Sequence, residues 1–397
     1  MTSRSTLLLA STTLATFTAL SCGDDSGDGT GGAGSTSAST SAATTSSQST
    51  SSSSSSSVAA GTGGEGAQGG GGSGSGAAGG GGIGGAGGSG GGGGTACDED
   101  VIPPQPEPPE LLSDTGLYTN IEDRTVEPRI QSYAPEFKLW SDGAEKERWV
   151  YLPACTTIDV TDMDHWQLPV GARLFKDFSV DGEVLETRVI HRYGPEVADW
   201  WMTSYAWEPE GGDAVRVPDG VLNAGGTQHD IPSEGDCVTC HNYLEERALG
   251  FSAIQLAWVG EGGATLGSLE ADGWLSAEPP AIAIPAADEV ERQAMGYLHA
   301  NCGNCHNDGL FFVTPFDMRL SVLDATREDT GVLRTAVDVE TDSFFGGGVT
   351  HRILSGNTAL SCVSYRMGDA PRMPPLGSEV LDVIGKAAVD AWISALP

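Results

Sequence analysis

Basic side chains are scarce in this chain of 397 residues. It contains 20 lysines and arginines against 54 aspartates and glutamates, which gives a formal net charge of -34 at pH 7. Proteins that bind nucleic acid rely largely on basic side chains to neutralise phosphates. The composition therefore excludes a nucleic-acid-binding protein of that kind, and the acidity favours basic partners.

Bulky apolar side chains are nearly absent between Gly23 and Ala96, where only Val58 and Ile83 interrupt long runs of glycine and serine. Such a segment cannot bury enough apolar surface to offset the entropy lost on folding. A Gly/Ser-rich coil of this length has a root-mean-square span of about 45–50 Å. We predict that residues 22–96 form a disordered linker ahead of the folded part of the chain.

A long uninterrupted apolar run is also lacking at the N-terminus, since Leu7 to Leu20 includes several serines and threonines. A membrane-spanning helix requires roughly 20 predominantly apolar residues. The early Arg4 and the small residues before Cys22 instead predict a signal peptide over residues 1–21. The segment Ala19-Leu20-Ser21-Cys22-Gly23 resembles a bacterial lipobox, which implies lipidation of Cys22; a plain cleaved secretion signal is the alternative.

Either signal predicts export across the inner membrane. A lipid on Cys22 would anchor the protein to a membrane, facing the periplasm or the cell surface. Gly23, rather than aspartate, follows this cysteine and favours the outer membrane.

Four of the eight cysteines form two C-x-x-C-H motifs, Cys237-Val238-Thr239-Cys240-His241 and Cys302-Gly303-Asn304-Cys305-His306. This spacing is typical of c-type haem attachment, in which the two thiols bond to the haem vinyl groups and the histidine binds the iron. The sequence therefore predicts two covalently attached haem c groups. The haem-binding cysteines are Cys237, Cys240, Cys302 and Cys305, and the iron ligands are His241 and His306.

Three other interpretations of these cysteines are weaker. A zinc ribbon has about 15–20 residues between its cysteine pairs, whereas about 60 residues separate Cys240 from Cys302. A thioredoxin-like redox pair does not need a histidine directly after it, and the chain has only 7 histidines. Structural disulfides are the third interpretation, since the chain is exported. Among the remaining Cys97, Cys155 and Cys362 we expect one disulfide, and the sequence leaves its pairing open.

Amphipathic helices are predicted on both sides of the second motif. Asp288-Glu289-Val290-Glu291 has the form of a capping box, and apolar residues follow at helical spacing up to Cys302. Ser378 to Leu396 carries a second apolar helical face. The order of helix, C-x-x-C-H, loops and C-terminal helix resembles the small class I cytochrome c fold.

The resemblance implies a methionine as the sixth iron ligand, on a loop between His306 and the last helix. Met373 lies in Ala370-Pro371-Arg372-Met373-Pro374-Pro375, where the prolines restrain the loop. The rivals Met367 and Met318 are expected to be packing residues. Ligation by His306 and Met373 would raise the reduction potential relative to ligation by two histidines.

The surroundings of the first motif are less well defined. The preceding residues 228–236 are expected to form a loop, and residues 242–256 are predicted to be helical with an interruption near Gly250. His241 is the proximal ligand, but the sequence leaves its partner open, including an open iron position. The candidates are Met202, Met295, His229, His299, His191 and Met163.

A strand-like pattern extends from Asp98 to Ile231, with β-branched and aromatic residues separated by turn signals such as Asp181-Gly182. This pattern predicts an antiparallel sandwich or barrel. Six of the 9 tryptophans occur here, and they are expected to form core, with a ligand groove as the alternative. The predicted strands are 147–152, 156–160, 172–180, 184–192, 200–207 and 214–217.

Several of these segments resemble the N-terminal module of a family of bacterial dihaem c-type cytochromes. They are Leu139-Trp140-Ser141-Asp142-Gly143-Ala144 with Lys146 and Arg148, then Leu168-Pro169-Val170-Gly171 with Phe175-Lys176, then Glu186-Thr187-Arg188. Members of this family are sometimes found with quinoprotein dehydrogenases. The resemblance covers most of residues 133–397 and implies electron transfer. It supports the haem assignments of both motifs and Met373.

The expected fold is therefore α+β and multidomain, with a β-rich module at residues 97–232, the first motif and a connecting segment at 233–284, and a mainly α, cytochrome c-like domain at 285–397. The leading functional hypothesis is an exported dihaem cytochrome that transfers electrons between redox proteins. A dihaem peroxidase-like or oxidase-like enzyme with an open iron position at the first haem is the second. A β-rich binding module with secondary haems is the third.

Overall fold

The computed structural model describes residues 102–208, 211–260, 262–309, 316–341, 344, 346–369 and 371–397. The predicted signal peptide, Cys22, the linker and Cys97 lie outside these residues. All described residues belong to one compact unit. Among them, no helix is both long and apolar enough to cross a membrane.

Within the described residues, eight strands form two antiparallel sheets. The larger sheet has the order β3-β4-β5-β6-β7-β8, so each strand pairs with its neighbour in sequence, and β1 and β2 form a separate hairpin. In the described residues the large sheet is open, because its edge strands β3 and β8 do not pair with each other. The β-rich region is therefore a single meander with a small hairpin, and the predicted sandwich or barrel is wrong. The strands are β1 Tyr118–Asn120, β2 Thr125–Val126, β3 Gln131–Ser132, β4 Glu145–Tyr151, β5 Arg173–Val180, β6 Glu183–Arg192, β7 Trp200–Trp207 and β8 Ala214–Arg216.

The predicted strands agree with β4 to β8 within two residues at each end. The turn between β5 and β6 shows why: Asp181 and Gly182 have φ values of 54° and 84°, which a two-residue type I′ hairpin requires at both positions. The segment 156–160 does not form a strand. Only Ile158 and Asp159 make isolated bridges there, to Leu275 and Gln167.

Seven α-helices lie mainly after the sheet, so a β-rich part followed by a helical part is confirmed. Helix α4 begins after Asp288, whose carboxylate accepts a hydrogen bond from the Glu291 amide at 3.0 Å. The Glu291 carboxylate accepts from the Ala287 amide at 2.7 Å, so the predicted box is shifted by one residue. The helices are α1 Glu234–His241, α2 Ala253–Leu256, α3 Leu266–Ala271, α4 Glu289–Asn301, α5 Gly331–Thr335, α6 Cys362–Gly368 and α7 Val383–Ala395.

Helix α7 begins five residues later than predicted. The Val380 amide donates to Asp142 Oδ1 at 2.8 Å, and the Val380 carbonyl accepts from Trp140 Nε1 at 3.0 Å. These bonds hold the backbone of residues 378–382 against the segment that precedes β4. Asp382 then caps the helix by accepting from the Gly385 amide at 2.8 Å.

The region around the first motif also differs from the prediction. Helix α1 contains the motif itself, and the predicted helix over 242–256 is reduced to α2. Ser233 caps α1 by accepting from the Asp236 amide at 3.2 Å, while Asp236 accepts from the Ser233 amide at 3.0 Å. Helix α1 has no fully buried side chain, so it lacks the apolar periodicity that identifies a helix in sequence.

Three hydrophobic clusters organise these elements. One lies on the face of the sheet that carries Phe175 and Tyr205. A second joins the opposite face to α2 and α3, and a third lies between α4 and α7. Five of the six tryptophans in this region belong to the first two clusters or pack against them, which confirms that they form core. These are Trp149, Trp166, Trp200, Trp201 and Trp207.

Phe137, which lies between β3 and β4, joins the cluster of the helices and packs against Gly296 of α4. A Cβ atom added at Gly296 would lie 2.1 Å from the Phe137 ring, and Phe137 is only 4% exposed. The glycine therefore permits the close approach of this segment to α4.

We predict that Gly296→Ala lowers the free energy of unfolding by about 1–3 kcal/mol, because the buried ring cannot move away without disturbing the core. The measurement is the urea midpoint of the purified protein. Gly267→Ala in α3 is the matched control. A Cβ there meets no atom within 4 Å, so stability should be unchanged or higher by up to about 1 kcal/mol. Equal effects of the two substitutions would contradict the close contact.

Candidate functional site

Helix α1 positions the first motif beside β7. Glu234, its first residue, accepts hydrogen bonds from Thr203 Oγ1 at 2.5 Å and from Arg216 Nε at 2.8 Å. These two residues lie on β7 and β8, so the N-terminus of the helix is held at this end of the sheet. Cys237 and His241 follow at one- and two-turn spacing and face the same cleft.

His241 is held as a neutral imidazole with one ring nitrogen available. Its Nδ1 lies 2.6 Å from the Arg247 carbonyl oxygen. Because a carbonyl can only accept, Nδ1 carries the proton and Nε2 keeps its lone pair. Burial lowers the pKa of His241 to about 3. A backbone carbonyl that fixes the tautomer is typical of histidines that ligate a metal through the other nitrogen.

The second motif directly follows α4. Cys302 is the residue that ends the helix, and its carbonyl accepts from the amides of Cys305 at 3.1 Å and His306 at 2.8 Å. The His306 ring packs edge to face on Phe316, with 4.8 Å between ring centroids. Burial and the charges of Arg366 and Arg352 lower its pKa to about 4. This histidine is therefore also neutral near pH 7.

The fold brings the two motifs into contact. The thiols of Cys240 and Cys305 are hydrogen-bonded to each other, and Cys305 Sγ lies 3.7 Å from the Thr239 carbonyl oxygen. This contact joins residues that are far apart in sequence. Groups attached to the two motifs would consequently lie next to each other.

All four motif cysteines are free thiols. Burial raises the pKa of Cys237 and of Cys302 to about 12, whereas the first cysteine of a thioredoxin-like pair has a lowered pKa. The hydrogen bond from Cys305 lowers the pKa of Cys240. Within the described ranges, no three His, Cys, Asp or Glu side chains are arranged to hold one metal ion. The geometry thus differs from both the redox-pair and the zinc arrangements.

Cys155 and Cys362 are both disulfide-bonded. The pairing of the expected disulfide among Cys97, Cys155 and Cys362 stays open. Cys97 lies outside the described residues.

A small cleft of about 40 Å³ adjoins the first motif. Apolar side chains from β5, β6 and the segment after α1 contribute to its wall, and so do two cations. The residues that line the cleft include Cys237, His241, Met202, Leu174, Ile190, Leu249, Lys176 and Arg188.

Met202 is the one proposed sixth ligand that lines this cleft together with His241. It lies on β7 and is half-buried. Its thioether sulfur is a soft ligand of the type that haem iron accepts. Among the described candidates for the first motif, its position therefore fits best.

Two histidines of the β-rich part, His191 and His229, are engaged by hydrogen bonds. His191 Nδ1 donates to the Ala172 carbonyl at 3.0 Å, and its Nε2 accepts from the Gln105 amide at 3.1 Å. His229 Nε2 donates to Glu186 Oε2 at 2.9 Å. Binding of iron by His191 would break one of its bonds.

The remaining candidates belong to the interior. Met295 is 1% exposed in the cluster between α4 and α7, and Met163 Sδ accepts from Trp166 Nε1 at 3.4 Å. His299 is buried, and its Nδ1 accepts a hydrogen bond from the Leu320 amide at 3.1 Å.

The loop that carries Met373 is hydrogen-bonded to Arg366, a residue whose charge acts on His306. This buried arginine affects the pKa of His306 by its charge, and its Nε donates to the Pro371 carbonyl at 2.7 Å. The Arg366 carbonyl accepts from the Met373 amide at 2.8 Å. The loop predicted to carry the sixth ligand is thus anchored on a neighbour of the second histidine.

Met318 and Met367 are packing residues, as predicted. They are 2% and 8% exposed and belong to the cluster between α4 and α7.

One buried ion pair of the site, between Glu246 and Arg319, is not indicated by any pattern in the sequence. Glu246 is 3% exposed, accepts from Arg319 Nη2 at 2.6 Å and lies 3.2 Å from His165 Nδ1. Glu246 follows the first motif and Arg319 follows the second, so this buried ion pair ties the two motif segments together. Its hydrogen bond with Glu246 raises the pKa of His165.

Comparison with protein-family models, curated proteins and solved structures finds no match for this chain.

Proposed function

We propose that this chain is an exported dihaem c-type cytochrome that transfers electrons between periplasmic or cell-surface redox partners. The observation that carries the proposal is the contact between two complete C-x-x-C-H motifs, each with a half-buried histidine that is neutral near pH 7. Two redox groups held side by side allow the protein to accept an electron from one partner and pass it to another.

The donor set fits haem c. Each motif offers two free thiols for the vinyl groups and one histidine for the iron. His241 would bind through Nε2, since Nδ1 donates to Arg247. Haem c supplies one-electron redox chemistry when bound. The protein's part is to orient the histidine, to exclude water with the apolar wall of the cleft, and to set the potential through the sixth ligand and nearby charges.

For residues 285–397 we propose a class I cytochrome c-like arrangement. Helix α4 leads into the second motif, and α7 closes the chain. The two helices pack closely, because a Cβ at Gly385 of α7 would lie 2.1 Å from the Tyr297 ring of α4. Trp392 Nε1 of α7 also donates to Glu291 Oε1 at 2.9 Å. Within this arrangement Met373 is the proposed partner of His306.

The proposed location is a membrane surface reached through a lipid on Cys22, with the outer membrane favoured. A quinoprotein dehydrogenase is a candidate electron donor, on the resemblance alone. The strong negative charge favours a partner with a basic docking surface.

Haem attachment is tested by mass spectrometry and a haem-stained denaturing gel, on protein produced together with haem-attachment machinery. We expect the wild-type chain to carry two covalent haems, and the Cys237→Ser/Cys240→Ser variant to carry one. Val238→Ala, between the two cysteines, should retain both. A colourless wild-type protein with four unmodified thiols would refute the proposed function.

Met373→Ala should lower the midpoint potential of one haem and leave both haems attached, because a weaker ligand would replace the thioether sulfur. A spectroelectrochemical titration measures both potentials. Met367→Leu, at a buried packing position in the preceding helix, should leave both potentials unchanged. Unchanged potentials in Met373→Ala would show that another group binds the second iron.

The peroxidase-like or oxidase-like alternative requires an open iron position at the first haem. If Met202 fills this position, the reduced wild-type protein takes up no carbon monoxide, whereas Met202→Ala binds it at one haem. Met163→Ala should behave as the wild type. Uptake of carbon monoxide by the reduced wild-type protein would reject Met202 as ligand and favour the enzyme.

A further inference from the structure

Three basic residues lie side by side across three adjacent strands of the large sheet. Arg148 of β4 pairs with Lys176 of β5, and Lys176 pairs with Arg188 of β6. Directly paired residues project from the same face. Lys146 joins them, because it lies two residues before Arg148 and therefore on that face. We call these four residues the cationic row.

Such an arrangement opposes folding unless an anion compensates it, because like charges directly opposite each other in a sheet are destabilising. Glu186 is the carboxylate on this face. It accepts from Arg188 Nε at 2.6 Å and from Arg188 Nη2 at 2.9 Å, and it also binds His229. In the described part of the chain, Lys146, Arg148 and Lys176 make no ion pair with a carboxylate. Three basic side chains of the row are thus left without a carboxylate partner.

The pKa values of the lysines in the row are lowered accordingly. Burial and the charges of Arg148 and Arg188 lower the pKa of Lys146 to about 7. Burial, followed by the charges of Arg148 and Arg188, lowers the pKa of Lys176 well below its ordinary value. Burial alone would raise the pKa of Glu186, but Arg188 and His229 lower it to about 2. The single carboxylate is already fully engaged.

Arg148 also has an unused hydrogen-bond donor. Its side chain is buried, with the residue 5% exposed. Its Nε has no hydrogen-bond partner among the described residues, and its Nη1 reaches only the Lys146 carbonyl, at 3.5 Å. A buried donor without a partner costs about 1–3 kcal/mol. An acceptor from outside the described chain would remove this cost.

One end of the row opens onto the cleft of the first motif, since Lys176 and Arg188 line that cleft together with Cys237 and His241. Arg188 lies close enough to Cys237 and Cys240 for its charge to act on both thiols. Arg148 and Lys146 lie on β4, two strands and about 10 Å from Arg188. A molecule attached to these cysteines that extends across the sheet towards β4 would therefore bring its far end to Arg148 and Lys146.

We propose that the cationic row binds the carboxylates of the haem held by Cys237 and Cys240. This inference rests on the proposed function. Haem carries two propionate groups at the edge opposite its vinyl groups, so carboxylates and thioether bonds lie at different ends of the molecule. Arginine presents paired donors that match a carboxylate. The row then acts as the binding site for the far edge of the first haem and keeps its potential high.

The test compares Arg148→Met with the wild-type protein, each carrying two haems by mass. A titration of both haems measures their midpoint potentials. We expect the potential of the first haem to fall and that of the second to stay, because loss of a nearby cation stabilises the more positive oxidised haem. Arg148→Lys keeps the positive charge but lacks the paired donors of the guanidinium group, so it should give a smaller shift in that potential. Lys138→Met, the same charge change at an exposed position, should give none.

Lys146→Met provides a second variant if Arg148→Met does not fold, and we expect a fall in the same potential. Unchanged potentials in every foldable variant with two haems would overturn the inference and leave the proposed function intact. Protein without covalent haem would overturn both. A free anion is the other source of the same chemistry: if inorganic phosphate raises the melting temperature of the dihaem wild-type protein but not of Arg148→Met, the row binds solution anions and the assignment to haem carboxylates is wrong.

Discussion

The contact between Cys240 and Cys305 is the constraint on which the rest of the candidate site depends. It brings the first motif, which lies on α1 against the sheet, next to the second motif, which directly follows α4. The buried pair of Glu246 and Arg319 holds the same two segments from another side. Removing one partner of a buried ion pair leaves an uncompensated charge and is strongly destabilising. The charge pair therefore holds the two motifs together independently of the thiol contact, which haem attachment would replace by thioether bonds.

Local rules accounted for much of the fold. The turn at Asp181-Gly182, strand β7 and the cap at Asp288 follow from residue preferences that act over a few positions. Tertiary contacts decided the elements that were predicted wrongly. Residues 378–382 bind to Trp140 and Asp142 rather than continuing α7, and the polar helix α1 is held by β7 and β8. The open sheet could not be derived from alternation, since a sandwich, a barrel and a meander share the same pattern of strands and turns.

The candidate site was predictable to a similar extent. The thiols and histidines of both motifs are visible as spacing, because haem attachment restricts neighbouring residues. The cationic row is not visible as spacing, because strand register determines which residues pair across β4, β5 and β6. Lys146, Arg148, Lys176 and Arg188 nevertheless all lie in the segments that carry the resemblance to dihaem cytochromes. A place on one sheet face beside the first motif gives these dispersed residues a shared physical explanation.

The charges of the protein would affect the reduction potentials of the proposed haems in two opposite directions. A net charge of -34 favours the oxidised, more positive haem and would lower its potential, whereas the cationic row favours the reduced haem. Distance and burial decide which of these two effects on the potential is larger. At physiological ionic strength, exposed charges farther apart than about 8 Å are largely screened, and buried charges are screened much less. The row is largely buried and one end of it lines the cleft, so its effect on a haem bound there would exceed that of most surface carboxylates. The acidic exterior could then attract a basic partner without setting the potential of that haem.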